Sequence, residues 1–169
     1  MKKREIKFDG RPMFLIGEEK KVGDKAPSFN VVNKDMEDTS SDQFNGKIRI
    51  ISVFPSVDTP VCSRQNKRFN KEASKLGDDV AILSISADLP FAQKRFCDVE
   101  GIRNAYMFSD YNTLDFGMKY GFVVEELRLL GRGVVIIDKE GVIRYIEYVN
   151  DIVDDVDFEK ALETVRSLQ

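Results

Sequence analysis

Residues 48–62 read Ile-Arg-Ile-Ile-Ser-Val-Phe-Pro-Ser-Val-Asp-Thr-Pro-Val-Cys, and the last of them is one of only two cysteines in the chain. The beginning of this stretch is rich in β-branched residues, which is typical of a buried strand. After Cys62, apolar residues recur at spacings of four and three from Phe69 to Leu76, as on one face of a helix. The stretch therefore predicts a buried strand that leads directly into a helix, with Cys62 at the junction.

The junction also carries signals for a helix start. Pro60 suits the first helical position, and Asp58 or Thr59 can act as the N-cap. With Thr59 as the cap, Cys62 falls at the third helical position, where unpaired backbone N–H groups and the helix dipole favour a thiolate over a thiol. An isolated cysteine is more often a small buried hydrophobe. This position favours the reactive thiol instead.

Composition limits the classes of protein that remain. The chain has 169 residues, 42% of them hydrophobic, and we expect one domain over residues 1–169. Its net charge of −3 favours neither nucleic acid nor an anionic membrane as a partner. The short basic start is not followed by the apolar segment of a secretory signal, and no run approaches the ~20 apolar residues of a membrane span. We therefore expect a soluble, cytoplasmic protein.

The absence of histidine from the sequence excludes several kinds of catalytic site. A Ser-His-Asp triad, a Cys-His pair and a histidine-ligated metal cannot form, and two cysteines cannot make a four-thiolate zinc site. A P-loop and a Rossmann glycine fingerprint are also missing. Two cysteines in a reducing compartment are more often inert than paired, although a transient catalytic or sensing disulfide is the recognised exception. Any redox chemistry is then expected to be carried by sulfur alone.

The rest of the chain alternates strand-like and helix-like segments between glycine and proline turns. The patterns predict a hairpin over 4–16 with an Asp9-Gly10 turn, a short capped helix at 41–44, strands over 80–86 and 106–108, a helix opened by Asp88 and Pro90 and ended by Gly101, a short helix over 113–120, a hairpin over 133–149 and a closing helix over 157–168. This order predicts an α/β fold, a mixed central sheet covered by helices on both faces. In the second helix Leu89, Ala92 and Phe96 are predicted to share one face.

Two motifs give the chain a family resemblance. Pro55, Thr59 and Cys62 match the Pro-x-x-x-Thr-x-x-Cys motif, so the chain resembles the peroxiredoxins. Residues 85–97, ISADLPFAQ followed after one residue by Arg-Phe-Cys, are similar to the segment that holds the resolving cysteine in the bacterial thiol peroxidase subfamily, the atypical two-cysteine type. The resemblance covers nearly the whole chain. It implies a thioredoxin-like fold with an N-terminal β-hairpin.

The resemblance also assigns roles at a peroxide site. It implies that Cys62 is the nucleophile, that Thr59 can donate a hydrogen bond, and that Pro55 shields the thiolate. Arg132 matches the family arginine just before a late strand, whose donors hold the thiolate and polarise the oxygen–oxygen bond. Without the resemblance, Arg132 could equally be a solvated charge in a loop, and Pro55 could simply end a strand. Two departures bear on Arg132, since Gly131 stands where alanine is expected and Arg128 lies in the same short loop, 125–130.

The second cysteine completes the cycle that the resemblance implies. A sulfenic acid on Cys62, formed by hydrogen peroxide or an organic hydroperoxide, would be captured by Cys97 of the same subunit, and a thioredoxin-like donor would reduce the disulfide, without metal or organic cofactor. The family suggests a homodimer. Without the resemblance, Cys97 would be read as a buried structural cysteine. Two alternative functions stay open: a redox sensor, and a thiol–disulfide oxidoreductase, although Cys62-Ser63-Arg64-Gln65 is not a Cys-x-x-Cys site.

Overall fold

The structure, a computed structural model, describes residues 2–169 and arranges them in two β-sheets with helices packed around them. The strands are β1 (Arg4–Phe8), β2 (Arg11–Ile16), β3 (Asn30–Asn33), β4 (Asp38–Ser40), β5 (Ile48–Val53), β6 (Val80–Ser86), β7 (Tyr106–Ser109), β8 (Val123–Val124), β9 (Leu129–Leu130), β10 (Gly133–Ile137) and β11 (Ile143–Tyr148). The helices are α1 (Pro60–Leu76), α2 (Pro90–Glu100), α3 (Asp115–Tyr120) and α4 (Phe158–Leu168), with a 3-10 turn at Ser41–Phe44.

The larger sheet has seven strands in the order β11-β10-β5-β6-β7-β3-β4. β5, β6 and β7 run parallel, and the other neighbours pair antiparallel. Every residue of β5 is buried, as expected for a β-branched strand inside a sheet that is covered on both faces. The predicted mixed sheet is therefore confirmed, and the strand that precedes Cys62 lies inside it.

Side chains of β5 alternate between apolar clusters on the two faces of the sheet. Ile50 packs in a cluster with Phe69 of α1 and Leu162 of α4. Ile51 belongs to the opposite cluster, which includes Phe116 of α3. Helices therefore cover both faces of the sheet, as the element order predicts.

The predicted N-terminal hairpin is confirmed as β1 and β2. Its turn residues Asp9 and Gly10 both have positive φ, 49° and 81°, which is the conformation for which Asp-Gly is a strong hairpin signal. The hairpin continues into a second sheet, order β1-β2-β8-β9, which packs in the same cluster as α3. The segment 125–130, expected as a loop, is instead the tip and second strand of the hairpin β8–β9. Strands of two residues leave no periodic pattern in the sequence, so β8 and β9 were not predictable.

The prediction for one residue near α2 was wrong. Leu89 was expected to join Phe96 on the buried face, but the residue is 53% exposed. The helix begins at Pro90, so Leu89 is the N-cap with extended backbone and does not follow the helical period. Phe96 is buried and Gly101 ends the helix, as predicted; Cys97 is also buried, and Gly101 adopts the left-handed conformation.

The helices of the protein were compared with the requirements of a membrane span. Within residues 2–169, none combines the length and the apolar character that crossing a bilayer requires.

Candidate active site

The connection between β5 and α1 places Cys62 in the interior of the protein. α1 begins at Pro60, and the N-cap is Thr59, with extended backbone and a side-chain oxygen that accepts a hydrogen bond from the Cys62 N–H at 3.2 Å. The predicted cap is therefore confirmed in favour of Thr59, while Asp58 is exposed. Cys62 itself is 0% exposed. A buried thiol thus lies in the first turn of a long helix, where the helix dipole is positive.

Arg132 contacts the Cys62 sulfur directly. The residue lies between β9 and β10, and its Nη2 donates a hydrogen bond to Cys62 Sγ at 3.1 Å. Only 2% of Arg132 is exposed. A contact between a guanidinium and a sulfur is strongest when the sulfur is ionised, because both partners are then charged. The geometry therefore suits a thiolate at Cys62.

Three acceptors fix the Arg132 guanidinium. Nε donates to the Ile152 carbonyl at 2.7 Å and Nη1 donates to Gln65 Oε1 at 2.7 Å, in addition to the bond from Nη2 to Cys62. Among residues 2–169, no carboxylate lies within 4.0 Å of this guanidinium in an ion pair. A buried charge is very unfavourable unless a counter-charge or good hydrogen bonds compensate it. The Cys62 sulfur is the one partner of Arg132 here that can become an anion.

Gln65 is a site residue that the sequence analysis did not predict. It lies one turn after Cys62 on α1 and is almost completely buried. Its Nε2 donates to Ser52 Oγ at 2.8 Å and to the Val53 carbonyl at 3.1 Å, which turns Oε1 toward Arg132. A polar residue three positions after the cysteine, on the same helix face, was the available signal. The contact with Arg132 joins residues 67 positions apart, so that local signal could not predict it.

The other two predicted residues flank the same loop. Pro55 is buried directly after β5 and Phe54. The Thr59 hydroxyl, besides accepting from the Cys62 N–H, donates to the Ser56 carbonyl at 3.5 Å. That donor distance is at the limit of a hydrogen bond, so the hydroxyl proton can turn to a better acceptor. The structure thus brings Pro55 and Thr59 into the loop that leads to Cys62, and their roles toward a peroxide stay predictions.

Arg128 and Gly131 are explained by the β8–β9 hairpin. Arg128 is exposed at the tip of the hairpin, with a positive φ of 56°, whereas Arg132 reaches Cys62. A Cβ atom at position 131 would lie 2.9 Å from Cδ2 of Leu15 on β2. Glycine at position 131, where alanine was expected, therefore leaves room for the Leu15 side chain in its present position.

Cys97 is buried near Cys62 in a small apolar cluster. The cluster joins α1 and α2, and both cysteines are free thiols; its members are Phe54, Val57, Cys62, Phe96, Cys97, Ile102 and Met107. Burial raises the pKa of the Cys97 thiol, and the charge of Asp98 adds to this effect while Lys34 opposes it. Cys97 is therefore expected to remain a neutral thiol at physiological pH.

Comparison with known proteins identifies the family of the chain. Residues 21–164 match the Redoxin family. The thiol peroxidase of Listeria innocua is 48% identical over 162 residues, covering 96% of this chain and 98% of that protein. The thiol peroxidase of Bacillus subtilis is 46% identical over 164 residues, covering 97% and 98%. The crystal structure of a peroxiredoxin-like protein from Aquifex aeolicus has a TM-score of 0.91 at 36% identity, with 98% of both chains covered.

The chain belongs to the Redoxin family. Its relatives also bear out the resemblance to the peroxiredoxins and the thioredoxin-like fold. The protein is accordingly an enzyme, a thiol-dependent peroxidase of the peroxiredoxin type.

Proposed function

We propose that Cys62 is the residue that attacks the peroxide, with hydrogen peroxide and organic hydroperoxides as substrates. The Cys62 thiolate attacks one peroxide oxygen, a sulfur–oxygen bond forms and the oxygen–oxygen bond breaks. The departing oxygen takes up a proton and leaves as water or an alcohol, and Cys62 becomes a sulfenic acid. The observation that carries this proposal is the 3.1 Å contact from Arg132 to the buried Cys62 sulfur, because no carboxylate of residues 2–169 forms an ion pair with this guanidinium.

Neighbouring groups support the attack in two ways. The fixed guanidinium of Arg132 stabilises the thiolate and offers a donor to the peroxide oxygen that acquires charge. The Thr59 hydroxyl, held near Cys62 by the capping bond at 3.2 Å, can donate to the same oxygen. The buried Pro55 restricts access of water to the sulfur. None of these steps uses a metal or an organic cofactor.

We propose further that Cys97 resolves the sulfenic acid within the same chain. The Cys97 sulfur attacks the Cys62 sulfur, the disulfide bond forms, the sulfur–oxygen bond breaks, and water leaves with the thiol proton. Their shared apolar cluster supports this pairing. Because both thiols are buried on separate helices, part of α1 or α2 has to unfold locally before the disulfide geometry is reached.

We propose last how the disulfide is reduced and where the protein works. A thioredoxin-type dithiol protein reduces the disulfide and completes the cycle. The net charge of −3 supports a protein without nucleic-acid or membrane partners, and the family resemblance supports a cytoplasmic homodimer.

A coupled assay tests the proposal. Oxidation of NADPH is followed in the presence of thioredoxin, thioredoxin reductase and hydrogen peroxide, with a control that lacks peroxide. Steady turnover that depends on peroxide is expected. A single stoichiometric oxidation would instead indicate a redox sensor, and turnover with a disulfide substrate but not with peroxide would indicate a thiol–disulfide oxidoreductase.

A further inference from the structure

Asp88 lies in the loop between β6 and α2, two positions before the first residue of the Cys97 helix. An aspartate near a helix start usually caps that helix. Here the N-cap of α2 is Leu89 and α2 has no side-chain cap bond. The Asp88 carboxylate is therefore free for another use, and it is directed at the loop that precedes Cys62.

The carboxylate accepts three hydrogen bonds. Oδ1 accepts from Ser56 Oγ at 2.8 Å, and Oδ2 accepts from the Val57 N–H at 2.9 Å and from Ser86 Oγ at 2.6 Å. Bonds to a charged acceptor are about twice as strong as neutral ones. Asp88 thus connects the end of β6 with the Cys62 loop, where Ser56 and Val57 lie 32 and 31 positions earlier in the sequence.

The bonds continue from Asp88 to both cysteine helices. On one side, the Ser56 carbonyl accepts from the Thr59 N–H at 3.4 Å, and Thr59 in turn caps Cys62. On the other side, Ser86 Oγ accepts from Nε2 of Gln93 on α2 at 3.0 Å. One carboxylate therefore contacts the Cys62 loop directly and is linked to α2 through Ser86, while Gln93 Nε2 also donates to the Phe108 carbonyl at 2.7 Å.

We propose that Asp88 is a positioning residue that holds the Cys62 loop, residues 54–59, and the Cys97 helix α2 together. This arrangement, in which both cysteines are buried, is the closed form; in the open form α1 or α2 is locally unfolded. This inference rests on the proposed function, because it concerns the balance between the rate of peroxide attack by Cys62 and the rate of capture by Cys97. Attack needs the closed form, in which Cys62 contacts Arg132. Capture needs the open form, because Cys62 and Cys97 lie on separate packed helices that have to unfold locally to reach disulfide geometry. Asp88 favours the first step and slows the second.

The test uses Asp88→Asn, which keeps the size of the side chain but replaces one acceptor oxygen with a donor. Quench-flow with alkylation and mass spectrometry measures attack and disulfide formation separately. Attack by the variant is expected to slow by about tenfold, because two charge-assisted bonds to the Cys62 loop are weakened. Disulfide formation from the sulfenic acid is expected to accelerate at least about threefold, because the open form is more populated. The sulfinic acid fraction at excess peroxide falls accordingly.

Two further variants separate positioning from general stability. Ser56→Ala removes one bond to Asp88 and is expected to change both rates in the same directions, but less. Val165→Ala, in the buried face of α4, lowers the thermal stability and is expected to leave both rates within about twofold of wild type.

Positioning by Asp88 predicts slower peroxide attack together with faster disulfide formation. A general loss of stability does not give these opposite changes. The role of Asp88 is overturned if Asp88→Asn and Ser56→Ala both attack peroxide at the wild-type rate. It is also overturned if neither variant forms the disulfide faster than wild type. If the wild-type protein forms no sulfenic acid on Cys62, the proposed function itself fails. If it does and both variants behave like wild type, only the inference about Asp88 fails.

Discussion

Arg132 donates a hydrogen bond to the sulfur of Cys62 over 3.1 Å, although 70 positions separate the two residues in the chain. The arginine directly precedes β10 and the cysteine lies in the first turn of α1, and β10 pairs with β5, the strand that leads to Cys62. The fold thus brings a fixed cation to the sulfur through two neighbouring strands.

Replacement of Arg132 by lysine keeps the charge but removes the planar set of donors that contacts Cys62, Gln65 and Ile152 together. We expect kcat/KM for hydrogen peroxide to fall at least about tenfold, which corresponds to ~1.4 kcal/mol of transition-state stabilisation. Arg128→Lys, at the exposed hairpin tip, is the matched control and is expected to have little effect. The assignment of Arg132 is contradicted if the two variants exchange these results.

Gln65→Ala removes the side chain that orients the guanidinium. The Arg132 Nη1 donor and the Ser52 hydroxyl lose a partner in the protein interior, and we expect the free energy of unfolding to fall by about 1–3 kcal/mol. A mispositioned Arg132 is also expected to lower kcat/KM by roughly tenfold. Denaturant unfolding and steady-state kinetics measure the two effects. Lys67→Ala, an exposed position on the same helix, is the control, and equal activity of both variants would show that Gln65 does not position Arg132.

The buried Asp110 is expected to make the free energy of unfolding depend on pH. The residue is buried, and its carboxylate accepts from the Phe116 and Gly117 N–H groups, yet burial raises its pKa to about 7, and nearby Asp115 adds to the rise. The folded state therefore holds a proton that the unfolded state releases at about pH 4, so this residue's contribution to stability decreases as the pH rises from about 4 to about 7.

Asp110→Asn is expected to remove this part of the pH dependence. The free energies of unfolding of the variant and of wild type are measured at intervals from pH 4 to 8, and their difference should change in favour of the variant as the pH rises. A difference that is constant across this range would contradict the raised pKa. Asp98→Asn, at an exposed position of α2, serves as the control.

Cys97→Ser should separate peroxide reduction from recycling. The variant is expected to react once with peroxide and to form a trappable sulfenic acid on Cys62, but to lose thioredoxin-linked turnover. In wild type, one equivalent of peroxide should give a disulfide within one chain, which peptide mapping and non-reducing gels detect. A covalent dimer through Cys62 would contradict capture by Cys97 of the same chain.

The strand, turn and cap signals around Cys62 were sufficient to predict the local structure of the site. The β-branched run, Thr59 and Pro60 act over a few residues, and the structure follows them. The same holds for the Asp9-Gly10 hairpin and the final helix, because turn chemistry and a 3.6-residue period are local properties.

The features that could not be predicted depend on contacts between distant parts of the chain. Gln65 gains its role from Arg132 and from two groups on β5, and Asp88 gains its role from a loop some thirty positions earlier. The exposure of Leu89 depends on where α2 begins, and the β8–β9 strands are too short to show a period. Local sequence patterns do not contain this information.

The most direct test of the account is the consumption of peroxide by Cys62→Ser in a single turnover. Stoichiometric hydrogen peroxide is mixed with wild type and with the variant, residual peroxide is measured, and both cysteines are mapped by mass spectrometry. Wild type is expected to consume one equivalent and to carry a disulfide between Cys62 and Cys97, whereas the folded variant consumes none because the nucleophile is missing. Peroxide consumption by Cys62→Ser at the wild-type rate would contradict the central role of Cys62.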